Sequence, residues 1–229
     1  MKTLAALLAC ALLAGCTTTN VKSATPGAMT ATAPNAKALL VQPDVQLAVI
    51  TAAGLREARE DWSLSGQANL ATALREQLQT RSHPIEILDP AASMSGRTGQ
   101  LLRLNEAVGE SIRTFEYGAL KLPTKKGAFD WTLGDGAQEL RAERGADYAL
   151  FITARGTYAS AGRKAVMVGA ALLGVSVPLG QQQVFASLVD LKTGRVVWFN
   201  AAVAGPQADM RSPVGARSLC QDLLKGVPL

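Results

Sequence analysis

Residues 185–201 read FASLVDLKTGRVVWFNA. Two runs rich in Val, Leu and aromatic residues, Val184–Asp190 and Arg195–Asn200, flank Leu191-Lys192-Thr193-Gly194. A short polar link with a late glycine joins two strands into a β-hairpin, because glycine takes the positive φ that the turn needs. Asp190, Thr193 and Gly194 are expected to build the turn, and Trp198 to fill the packed face of a sheet. Upstream, Tyr148–Tyr158 (YALFITARGTY) reads as the strand before the hairpin, and downstream Ser212–Lys225 reads as a final helix.

Working back towards the N-terminus, Ala38–Ile50 is rich in Val, Leu and Ile and reads as a first strand that Pro43 can break. Arg56–Asp61 (REARED) is a charged turn, with Asp61 placed to cap a helix starting at Trp62. Leu70, Leu74 and Leu78 recur every four residues and carry that helix to Thr80, before His83-Pro84. Ile85–Leu88 is a short strand. Leu101, Leu104, Val108, Ile112 and Phe115 form one helical stripe, with Arg103, Glu106, Glu110 and Arg113 on the opposite side. Lys121–Phe129 is a basic loop, and a further helix opens at Asp135 or Gly136 and ends near Gly145. The order β-α-β-α-α-β-β-β-α predicts an α/β (α+β) domain, a mixed β-sheet with helices packed on it.

The Val-Asp-Leu, Thr-Gly and Val-Val-Trp phrases of the hairpin, with Gly145-Ala146-Asp147-Tyr148-Ala149-Leu150 opening the preceding strand, resemble a known group. It is the periplasmic α/β domain shared by the curli-secretion-channel proteins, the penicillin-binding-protein activator lipoproteins and the amino-terminal domain of TolB. The element order extends over residues 38–225, the motifs over a smaller part. The resemblance implies a TolB-N-terminal-like fold and an assembly or adaptor role. It transfers no functional residue, since fold does not set function.

The first residues are an address. Lys2 precedes Leu4–Leu13, an uncharged run too short to span a bilayer but suited to a signal peptide. Leu13-Ala14-Gly15-Cys16 resembles the bacterial lipobox, in which Leu13, Ala14 and Gly15 fit the signal peptidase and the Cys16 thiol takes the diacylglycerol. Thr17 rather than Asp follows the cysteine, which in Gram-negative lipoproteins implies the outer membrane, facing the periplasm. Thr17–Asn35, rich in Thr, Ala, Pro and Ser, reads as a tether about 60 Å long when extended. The expected organisation is a signal peptide over 1–15, the acylated cysteine and flexible tether over 16–35, and one periplasmic domain over 36–229. More than one acyl chain makes such an anchor stable.

The run Ala165–Leu179 (AVMVGAALLGVSVPL) is an apolar insert between two strands of the sheet. As a helix over Ala165–Val177 it would be about 20 Å long, short of a hydrocarbon core of about 30 Å. Three readings stand side by side: a buried helix or hairpin, a patch for self-association or an envelope protein partner, and a segment in contact with lipid. For the latter two the surface is Val166, Val168, Leu172, Leu173 and Val175, with Gly169 and Gly174 allowing close approach. The continuous apolar character does not match the alternation of a membrane β-hairpin.

Composition argues against most catalytic classes. The chain has 229 residues, 18% charged and 48% hydrophobic, with three cysteines and one histidine, His83. One histidine allows no multi-histidine metal site. Cys10 leaves with the signal peptide and Cys16 is acylated, so Cys220 has no disulfide partner and is expected to be a buried apolar residue. There is no nucleophile elbow, P-loop, dinucleotide glycine pattern or HExxH. Ser95 has no evident base, and Asp130 and Asp135 do not match a calcium loop. Trp62 and Trp131 read as packing residues. Loss of the signal peptide takes the net charge from +5 to about +4, and the basic residues are scattered, so no nucleic-acid partner is expected. No catalytic residue, metal or cofactor is expected. The sequence therefore points to a non-enzymatic outer-membrane lipoprotein, an accessory or scaffold part of an envelope assembly. Alternatives are an oligomeric secretion-channel component and a small-ligand-binding lipoprotein.

Overall fold

A computed structural model describes residues 17–24, 35–81, 83–205 and 207–229. The signal peptide and lipobox, including Leu13, Ala14, Gly15 and Cys16, lie outside the described residues. Among those described, eight strands form one mixed sheet: β1 (Thr18–Ser23), β2 (Ala38–Val41), β3 (Asp44–Ile50), β4 (Arg56–Ala58), β5 (Ile85–Leu88), β6 (Tyr148–Ala159), β7 (Gln182–Asp190) and β8 (Val196–Val203). Five α-helices accompany them: α1 (Glu60–Gln79), α2 (Gly96–Glu116), α3 (Ala137–Arg144), α4 (Ala161–Leu172) and α5 (Pro213–Leu223). The strand order is β1-β8-β7-β6-β2-β5, with β3 also on β6 and β4 outside β3. The α/β class follows the expected order, and the 12-residue β6 is its spine.

Side chains alternate across the sheet, so each strand feeds two cores. Leu40, Ile152, Leu188 and Trp198 point to one face, against Leu70, Leu74 and Leu78 of α1 and Leu219, Cys220 and Leu223 of α5. Their neighbours Leu39, Phe151, Val189 and Phe199 point to the other face, against Leu101 and Ile112 of α2 and Leu140 of α3. The hairpin turn is built as its residues require. Asp190 accepts hydrogen bonds from Lys192 N (2.8 Å) and Thr193 Oγ1 (2.9 Å), and Gly194 adopts φ 70°.

As expected, Pro43 splits the first strand, and both halves stay on β6: β2 lies parallel to Tyr148–Leu150 and β3 parallel to Thr153–Ala159. Three local expectations are corrected. The REARED segment is a strand and a helix start, because Arg56–Ala58 pairs antiparallel with β3. Asp61 does not cap α1. The N-cap is Arg59, and Asp61 instead grips the Arg59 guanidinium at 2.8 and 2.6 Å.

The third correction concerns the tether. Thr18–Ser23 pairs antiparallel with β8 as an edge strand, Thr18 opposite Val203 and Ser23 opposite Trp198. Tyr117, the residue that ends α2, donates to the Asn20 carbonyl at 2.8 Å and ties this strand to the end of that helix. The described part of the expected tether is therefore a strand, since β-branched Thr18, Thr19 and Val21 suit a strand once an edge is offered.

Candidate functional site

The segment between β6 and β7 sets this domain apart. β6 ends at Ala159, and Ser160 caps α4 by accepting a hydrogen bond from Arg163 N at 3.1 Å. Among the described residues, no strand or helix covers the outer side of the helix AGRKAVMVGAAL, and none of its residues is buried. It stops at Leu173-Gly174, where Gly174 adopts φ 75° and Gly174 N and Val175 N bond back to Ala171 O and Ala170 O. The chain then returns through Pro178 to Gly180, which must be glycine. Its φ is 109°, and a Cβ there would meet Thr157 O at 2.1 Å.

The insert is thus a helix with a return strand of irregular chain, and it packs mainly on itself. Arg163, Met167 and Ala170, spaced four and three apart, are half-buried on the inner side with Val177. The Arg163 guanidinium reaches Pro178 O at 3.4 Å. The outer side holds the residues that the sequence singles out. Leu172 and Leu173 are 84% and 82% exposed, Val168 58%, with Val166 and Val175 also exposed. The buried reading of Ala165–Leu179 is therefore overturned: the run is apolar and faces outward. Nothing in the sequence flagged Leu55, which is 65% exposed on the turn between β3 and β4. That turn adjoins α4, with Gly54 and Ala52 closest to Arg163 and Gly162.

Beneath the insert lies a network of cations and rings. The Arg211 guanidinium stacks 3.5 Å from the Tyr158 ring and 4.6 Å from Trp62, while Arg59 covers Trp62 at 4.1 Å. Trp62 and Tyr158 meet edge to face at 5.6 Å. Asp209 accepts from Arg211 at 2.7 and 3.0 Å and from the Tyr158 hydroxyl at 3.0 Å. The Tyr158 hydroxyl shares its one proton between Asp209 and Gln182 Oε1, which lies 2.5 Å away, and Met210 N donates to the same Gln182 oxygen. Burial raises the Asp209 carboxyl, but the hydrogen bonds from Arg211 and Tyr158 outweigh it and hold the group below its usual range. Burial, reinforced by Asp209, pushes the Tyr158 phenol far above its ordinary value. Each charged group here is spent on a neighbour, so the network braces the base of the insert. An open recess of about 260 Å³ lies between it and Lys164.

A second feature is a groove of about 580 Å³ between α2 and the β1-β8-β7 side of the sheet. Asn20, Arg113, Tyr117, Arg155 and Phe185 line it. Arg113 is bound to Glu110 and stacks 4.8 Å from Phe185, and Arg155 is paired with Asp44 at 2.5 Å. The groove is open, and both polar and apolar side chains line it.

The remaining sequence candidates are dispersed. Asp130 is paired with Lys125 at 2.7 Å, and Ser95 stands at the N-terminus of α2. The His83 ring nitrogen Nδ1 lies 3.1 Å from Ala36 O. Cys220 is fully buried, and burial, aided by Glu76, pushes its thiol up to about 12. Trp131 is buried, with its indole N–H donating to Glu116 at 3.1 Å. Among the described residues, no group of three or more His, Cys, Asp or Glu is placed to hold a metal ion, and no helix is long and apolar enough to cross a membrane.

No protein-family model matches the chain, and no curated protein matches it. Among solved structures it is similar to PelC of Paraburkholderia phytofirmans, crystallised as a dodecamer, with 16% identity over 91% of this chain and 94% of that one, at a TM-score of 0.40. A point variant of that dodecamer gives 17% identity over 93% and 97%, at a TM-score of 0.40. The lipoprotein GNA1162 of Neisseria meningitidis gives 15% identity over 73% and 78%, at a TM-score of 0.29.

Proposed function

We propose that this chain is an outer-membrane lipoprotein of a Gram-negative bacterium, facing the periplasm, that acts without catalysis as an accessory or scaffold component of an envelope assembly. The observation that carries this reading is α4: an apolar helix held out from a well-packed domain whose N-terminal sequence carries a lipobox. An apolar surface of this kind marks a site of contact with a protein or a membrane. Beside it, Asp209, Arg211 and Tyr158 are engaged with each other.

Crosslinking in intact envelopes, followed by mass spectrometry, tests the assignment. A reproducible adduct with one envelope protein is expected, and it should be lost in the Cys16→Ser variant, which should also take up no palmitate. Hydrolysis of ester, peptide or glycan substrates by the purified protein at enzymatic rates would overturn it. A second reading, an oligomeric secretion-channel component, is favoured by Gly169, which sits on α4 with open space above it. Light scattering in detergent separates the two: a stable ring supports the channel, and a monomer excludes it.

A further inference from the structure

The register of the sheet places the N-terminus of the described chain at the same end as the apolar insert. Thr17 begins that chain, and its Oγ1 accepts a hydrogen bond from Gly205 N at 3.3 Å. From there Thr18 lies opposite Val203 of β8, Val203 opposite Gln183 of β7, and Gln183 opposite Arg155 of β6. Each of these pairings is antiparallel. Leading backward from Thr18, and leading forward from Arg155 into α4, the chain therefore leaves the sheet by the same edge. Three strand spacings, about 14 Å, separate β1 from β6, and β6 runs on four residues beyond Arg155, about 13 Å, to its end at Ala159. Cys16 immediately precedes Thr17 in the sequence. The turn that carries Leu55 lies at this end as well, because Ile50 pairs with both Ala159 and Arg56.

We propose that this end of the sheet is the membrane-facing surface, with α4, its return segment and Leu55 seated in the headgroup region of the leaflet that holds the acyl chains of Cys16. The inference rests on the lipoprotein reading above and adds an orientation to it. The anchor does not swing on a long tether, because β1 locks the chain onto the body two residues after the acylated cysteine. Once the acyl chains enter the bilayer, β6, which leaves the sheet at the same end and projects beyond the Thr18 row, brings α4 to the same surface. At 12 residues the helix is about 18 Å long, which suits lying in the interface and not spanning it. Charge agrees with an anionic lipid surface. From Ala161 to Val189 the chain carries Arg163 and Lys164 at the base of the helix and no acidic residue.

The test uses the full-length acylated protein in vesicles of phosphatidylethanolamine with a minority of phosphatidylglycerol. Palmitate incorporation, lost in Cys16→Ser, is measured first. A polarity-sensitive fluorophore is then placed at Leu172→Cys and, as a reference, at Gln138→Cys. Gln138 reaches Lys192 O beside the hairpin turn, at the opposite end of the sheet. The Cys220 thiol is buried and takes no label in the folded protein. With spin-labelled acyl chains as quencher, the Leu172 probe should be blue-shifted and quenched several-fold more than the Gln138 probe. Adding Val168→Asp and Leu173→Asp should bring it down to the Gln138 level while the protein stays on the vesicles. Equal quenching at both positions in an acylated protein overturns the orientation and leaves the lipoprotein reading intact. Efficient bismaleimide joining of two Leu172→Cys copies without lipid quenching overturns it in favour of a second copy on α4. Absence of palmitate overturns both readings together.

Discussion

Asn200 is polar, carries no exposed surface, and closes α5 by donating from Nδ2 to Leu223 O at 2.7 Å. Replacement by Ala strands that carbonyl in the core. The expected cost is about 1–3 kcal/mol, read as a lower denaturant midpoint with an unchanged slope. Asp209 gives a pH-dependent counterpart. Its folded-state pKa lies below its unfolded value, so its contribution is complete above about pH 4 and is lost as pH falls through the folded value. Asp209→Asn should therefore be less stable than the parent at pH 7, and the gap should close when both are unfolded near pH 2. Residues of the turn were legible at this scale: Asp190, Thr193 and Gly194 act within four positions of one another. The Tyr158–Asp209–Arg211 network was not, because its members come from β6 and from the segment before α5 and meet only across the folded sheet.

Among the elements, β6, β7, β8 and α2 could be read directly, because each carries its own periodicity. β1 could not. None of its residues is buried, and its hydrogen-bond partner is a strand that begins 178 residues after it starts. A chain beginning at Thr17 should therefore melt higher than one beginning at Ala36, by about 5 °C for a loss on the order of 2 kcal/mol. The shorter chain also bares the β8 edge and should aggregate sooner, since an unpaired edge is a template for further pairing. Equal melting of the two would show that the strand adds nothing to stability. The α4 segment is the opposite case. Its apolar composition is plain in the sequence, and composition favours burial, but among the described residues no element is folded over it.

At the scale of the whole molecule, exposure of α4 separates folding from function. Leu172→Asp removes no packed contact of the domain and should change unfolding free energy by less than about 0.5 kcal/mol, as for other surface positions. The same change at Leu70, buried between α1 and the sheet, should cost several kcal/mol by comparison, because it puts a charge in the core. Thermal unfolding of the two variants side by side checks this contrast. Local spacing alone was enough to determine the hairpin, the amphipathic helices and the α/β class, since those signals are carried by residues close together in the chain. Tertiary structure alone decided that Thr18–Ser23 closes the sheet, that the apolar insert faces outward, and that both chain exits share one end. Those outcomes depend on strand register and on which surfaces are left without a neighbour, and both are set by contacts between residues far apart in sequence.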